Sequence, residues 1–186
     1  MARSVLFAIG LMLCSPILML CSPIVGSTQI SPYAGFEQRE IKTLALDEVS
    51  GYLAGEGMGF ALAAELNSYP GPKHVMEIAH RLDLNEKQLK ASQRIFDRMH
   101  SKAVEIGTQV VEKEQELDRI FAQETVTETN LKRVVKDIAD LKGELRYVHL
   151  RAHLEMRSIL SPEQIQTYNS LRGYGLGEHG RYHHTE

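Results

Sequence analysis

"LDRIFAQETVTETNLKRVV", residues 117–135, holds the point where the chain turns back on itself. Leu117 and Ile120 end one apolar series, and Leu131 and Val134 open another. Between them Glu124–Val126 reads as a short turn, and Thr127 as the cap of the next helix. Upstream, Leu89, Ser92, Phe96, Met99, Ala103, Ile106 and Val110 follow one another at steps of three and four, with Lys113 as the charged interruption before Leu117. Downstream, Ile138, Leu141, Leu145, Val148, Ala152 and Ile159 keep the same rhythm. So short a turn forces two such helices antiparallel. Facing positions in an antiparallel pair then share a constant index sum. That sum is 251 for Ile120 with Leu131, Leu117 with Val134, Val110 with Leu141, Ile106 with Leu145, Ala103 with Val148, and Met99 with Ala152. The expected fold is all-α, a long antiparallel helical hairpin with short flanking helices. Its first helix is predicted from Asn85 to about Gln123, roughly 57 Å at ~1.5 Å per residue.

The flanks are shorter elements. Ile41, Leu44, Ala45, Val49 and Tyr52 form a one-sided stripe that predicts a helix. "GEGMG", 55–59, stops it. A phosphate-binding loop is excluded there, because no strand precedes it, no Lys follows it, and Glu56 repels phosphate. "FALAAELN" reads as a short helix, and "YPGP", 69–72, as a turn with Pro72 at the first position of the next one. That helix is predicted to carry Val75, Ile78, Ala79 and Leu82 on one face. Ile95, Val104, Val111, Phe121, Val135, Leu150 and Leu154 lie off the hairpin seam. They call for a second cover: the short helices, another subunit, or a client.

Arg3 is the one charged side chain before residue 28; beyond it stand 20 basic and 24 acidic residues. A net charge near −4 with no basic stripe gives no footprint for nucleic acid. Val5–Val25 is almost wholly apolar and ends in Val25-Gly26-Ser27, so residues 1–27 read as a secretory signal. An uncleaved inner-membrane anchor is the alternative, weakened by Pro16 and Pro23. A lipoprotein signal would use Cys14 or Cys21, but Leu precedes each. The segment repeats "LMLCSPI" at 11–17 and 18–24, and both cysteines lie inside it, so the processed chain would need no oxidation to fold. Residues 28–39 read as a linker, 40–172 as the helical domain, and 173–186 as a disordered Gly/His tail.

One phrase is written twice. Leu84, Asn85 and Gln88 open the first long helix; Leu160, Ser161 and Gln164, with Pro162, open the last one. Each cap with a Gln three residues on can form a capping box. Taken alone, these side chains do no more than cap. Two such copies bracketing a hairpin behind an export signal resemble the LTxxQ-motif family, which includes Spy/CpxP-type chaperones and related periplasmic heavy-metal resistance sensors. Asn85 and Ser161 stand where Thr is usual in the motif. The resemblance implies a periplasmic, non-enzymatic, helical stress protein and a homodimer. It also implies partners among unfolded proteins, or a sensor kinase or anti-sigma partner in the envelope.

Histidines are the candidate metal ligands. His149 and His153 stand four apart on one helix, and the hairpin register makes His100 a neighbour of His149. Met99 and Met156 lie near enough to add a soft ligand. Such a set suits a divalent transition metal, Zn, Ni, Co or Cu; the alternative is three solvated residues on the flank of the hairpin. His179, His183 and His184 in the tail could bind metal only loosely. His80 is expected in solvent, and Glu77 with His80 is one lone Glu-x-x-His, where a di-iron bundle needs two. No catalytic elbow, zinc-protease motif or thiol outside the leader is present, so an enzyme is not expected. Two functions stay open on these grounds, client binding and metal sensing, with a purely structural dimer as the third.

Overall fold

The computed structural model describes residues 29–174. The expected leader with Cys14 and Cys21, and His179, His183 and His184 of the tail, lie outside the described residues. The chain divides into units 1–34 and 35–186, and the described part of the first is a turn closed by Ala34 N–H on the Ser31 carbonyl at 3.0 Å.

The second unit is built on α4 (Glu86–Ala122) and α5 (Glu128–Ile159), the two arms of the hairpin. Asn85 and Thr127 cap them with full capping boxes. The register is the expected one: Ile106, Val110 and Leu145 lie in one core cluster with Leu141 and Val148 packed on it. Ion pairs cross the seam in the same register. Arg133 reaches Glu116 at 2.6 Å, Lys113 reaches Asp137 at 3.2 Å, and Arg98 pairs with Glu155. These are half-exposed and worth little each.

The N-terminal segment is a strap rather than a series of full helices. The apolar stripe from Ile41 predicts one helix, but α1 is only Leu46–Leu53; Ile41 and Leu44 reach the core from a turn before it. The helix starts where Glu48 can satisfy the Ala45 backbone N–H, at 2.9 Å. After it, the glycine-rich stretch turns through left-handed residues at Gly55, Met58 and Gly59. α2 (Leu62–Glu65) and α3 (Pro72–Glu77) follow. α3 ends earlier than the spacing of Leu82 implies. Its chain loosens into turns through a left-handed Asp83, yet Val75 and Leu82 are buried. Gly71 precedes α3 and Pro72 is its first residue, as expected. α6 (Pro162–Leu171) closes the fold behind the Ser161 cap.

The strap answers part of the need for a second cover. It joins Ile41, Leu44 and Tyr52 to Val111 in one cluster, and Val75 and Leu82 to Ile95, Met156 and Tyr168 in another. Phe121, Val135 and Leu154 remain about half exposed, at 54%, 49% and 58%. A helix interior gives way where α1 meets α4. A Cβ on Gly107 would sit 2.1 Å from the Tyr52 carbonyl oxygen, so only glycine lets the end of α1 approach so closely. Among the described residues no helix is long and apolar enough to cross a membrane.

Candidate functional site

Three features of the hairpin bear on function, and the first corrects an expectation. Gln88 and Gln164 do cap their helices: each Oε1 accepts from its cap's backbone N–H, Asn85 at 3.1 Å and Ser161 at 2.9 Å. They also hydrogen-bond each other. Gln88 Nε2 donates to Gln164 Oε1 at 2.8 Å, and Gln164 Nε2 donates back to Gln88 Oε1 at 3.2 Å. The remaining amide hydrogens go to the Ile159 carbonyl at 2.9 Å and the Leu82 carbonyl at 3.1 Å. Each amide therefore uses its full bonding capacity in one closed pair. Leu84 and Leu160, ahead of the two caps, pack into the core cluster below. The doubled phrase is two halves of a lock that ties the start of α4 to the end of α5 and the start of α6.

Below that lock lies a buried polar network. Glu65 is 7% exposed and accepts from Tyr168 Oη at 2.5 Å, Tyr174 Oη at 3.1 Å and the Gly71 N–H at 3.2 Å. Burial, and then the hydrogen bond to Glu65, pushes the Tyr168 phenol above the ordinary tyrosine range. Glu114 does the same work nearer the hairpin tip, accepting from Thr43 at 3.1 Å and Lys142 at 2.6 Å. Neither acid was singled out in the sequence. Glu114 sits among alternating charges that look like a solvated face until the strap covers it, whereas Glu65 belongs to the strap itself, on α2, and is covered by Tyr168 and Tyr174.

The second feature is a cavity of about 510 Å³ between the glycine-rich loop and the hairpin. His100, His149 and His153 all line it, with Met58, Met99 and His74. The structure thus brings the three expected histidines to one cavity, and it overturns the reading as solvated flank residues for His149 and His153, while His100 stays partly exposed. His149 is 3% exposed and His153 8%. Each touches the strap. His100 Nε2 hydrogen-bonds the Ala54 carbonyl at 3.0 Å, and His153 Nδ1 the Tyr69 carbonyl at 2.7 Å. The His149 ring stacks on Phe60, with centroids 6.0 Å apart. Its Nε2 is buried and has no hydrogen-bond partner. Burial first, then the neighbouring His153 and His100, lowers the His149 pKa to about 4, so its imidazole is neutral at neutral pH. Among the described residues, however, no three His, Cys, Asp or Glu side chains converge as a ready-made metal site. His80 is exposed, as expected, and His74 is drawn to Glu77 at 3.0 Å.

The third feature is a groove of about 480 Å³ lined entirely by α4 and α5. Ile95, Met99, Val148 and Ala152 supply apolar lining, and Tyr147 stands 54% exposed beside them. Arg98, Lys102 and Arg151 alternate with Glu105, Glu144 and Glu155 around it. Groove and cavity share one lining residue, Met99.

Comparison with known proteins gives a family match. The model of the LTXXQ motif family covers residues 71–172, from the turn before α3 to the end of α6. No curated protein and no solved structure matches the chain. The matched span takes in both halves of the glutamine lock and both arms of the hairpin, more than half of the 186 residues. This chain belongs to the LTXXQ motif family, and that membership supports a general role as a periplasmic, non-enzymatic stress protein.

Proposed function

We propose that this protein holds partly unfolded polypeptides of the cell envelope in the groove between α4 and α5. The observation that carries this reading is the groove's composition: an apolar lining with an exposed Tyr147, framed by charges of both signs. Charges on such a rim draw in a chain of either sign, and their effect is mainly on the rate of encounter. The apolar floor then retains whatever unfolded segment presents its own side chains. Contacts of this kind are weak and reversible, which suits a holding protein without catalytic machinery. The glutamine lock supports the same reading, because it keeps the two arms of the groove in one fixed relation at their open end.

The test is aggregation of an unrelated unfolding protein at near-stoichiometric ratio. The expected result is suppression that weakens with added salt, and weakens further in Tyr147→Ser with the helix content unchanged. Absence of suppression by the parent protein sinks the reading. A sensor domain as the partner would instead emerge as saturable binding of one folded protein at the same groove, lost in the same variant.

A further inference from the structure

We propose that the cavity beneath the glycine-rich loop binds a soft, low-coordinate metal ion of the copper(I) class, held by His149, His153 and the thioether of Met99. This goes beyond the client-binding reading and does not depend on it.

Several observations converge. His149 and His153 stand four residues apart on α5 and line the same cavity. The Tyr69 carbonyl takes the His153 Nδ1–H at 2.7 Å, which fixes the tautomer and leaves Nε2 with its lone pair. That nitrogen lies beside Gly71, where a Cβ would come within 3.2 Å of it; glycine keeps it uncovered. His149 adds an imidazole whose buried Nε2 has no partner, an arrangement a folded protein rarely leaves unexplained. Two thioethers, Met99 and Met58, line the same space. Met58 is held in a left-handed backbone conformation at φ 41°, which non-glycine residues adopt at a cost.

The donor set selects the metal. Glu65 borders the cavity, but both its oxygens are engaged by Tyr168, Tyr174 and Gly71. His74 is turned to Glu77, and Glu56 is exposed on the loop. What remains is nitrogen and sulfur. A tetrahedral zinc site wants four donors of the Cys, His or carboxylate kind, and among the described residues not even three of these converge. Imidazole with thioether is the combination that favours copper(I), an ion satisfied by few ligands.

The experiment uses the full chain carrying Cys14→Ser, Cys21→Ser, His179→Ala, His183→Ala and His184→Ala, which removes the rival donors. Copper(I) is titrated without oxygen against a chromophoric chelator, and X-ray absorption reads the ligands. The expected result is a single tight ion with both nitrogen and sulfur neighbours. Met99→Leu, which keeps the packing volume, should lose the sulfur signal and weaken binding at least about tenfold. His149→Phe with His153→Phe should abolish it. Three results would overturn the proposal: no tight copper(I) binding in this background, a bound ion with nitrogen neighbours only, or undiminished affinity in Met99→Leu. Should the double histidine variant fail to fold, Met99→Leu alone decides. Loss of aggregation suppression with copper binding intact would strike the groove reading and leave this one standing.

Discussion

Two polar clusters sit against the same hairpin, and they are built on opposite rules. In the glutamine lock every amide atom of Gln88 and Gln164 has a partner, and beyond its own helix cap each side chain reaches other segments of the chain. In the cavity, His149 carries an unpartnered buried nitrogen, and the loop above passes through a left-handed Met58. A closed network rigidifies because any motion breaks several bonds together. An open one leaves bonding capacity for something else. The contrast separates the part of the molecule that holds shape from the part that can take a ligand.

Breaking the lock should have the largest effect. Gln164→Ala leaves the Leu82 carbonyl, the Ser161 N–H and the Gln88 amide short of partners, and should cost about 3 kcal/mol in chemical denaturation. Gln88→Ala should cost about as much. The double variant should cost clearly less than the two together, since the second change removes an amide already orphaned. Strict additivity would mean the two amides do not act as a pair.

The cavity should respond to acid instead. His149 is neutral in the fold with a pKa of about 4, while the unfolded chain takes up the proton near the ordinary histidine value of about 6.5. Protons therefore bind preferentially to the unfolded state between these limits. Stability present above about pH 6.5 is lost as pH falls towards 4, by about 3 kcal/mol in all for the metal-free protein. Urea midpoints across that range would measure it. In His149→Phe that part of the slope should vanish. The same variant should stay within about 1 kcal/mol of the parent at pH 7, because no hydrogen bond to Nε2 is lost. A loss as large as that of Gln164→Ala would erase the distinction between the two clusters.

Between these lies Gly107, which governs how the strap seats beside the cavity. Gly107→Ala places a methyl 2.1 Å from the Tyr52 carbonyl oxygen, so α1 must lift. A loss of about 2 kcal/mol is expected despite alanine's better helix propensity, with faster amide exchange over residues 41–54. The smallest change belongs to the open face. Leu154→Ser, at a residue 58% exposed, should shift the melting transition by no more than about 0.5 kcal/mol.

The hairpin was legible because its information is local and periodic. The seam repeats over many turns, and a constant index sum tests it against itself. The caps at Asn85, Thr127 and Ser161 were legible for the same reason, each lying three residues from the side chain that completes it. The short helices were read less well. Ile41, Leu44 and Leu82 belong to the core without belonging to a helix, since a turn can deliver an apolar side chain as effectively.

By itself, then, the sequence determined that two long helices lie antiparallel, where each begins, and that His100, His149 and His153 fall on neighbouring positions. Tertiary structure alone decided that Gln88 meets Gln164, that Glu65 and Glu114 are buried, and that His149 is shut away from water beneath Phe60. The physical reason is packing between segments far apart in the chain: the strap over Glu114 and His149, and α6 against Gln88 and Glu65. Whether a polar side chain on a helix flank is solvated, paired or stranded depends on what covers it, and that cover arrives from residues 46–103 positions away.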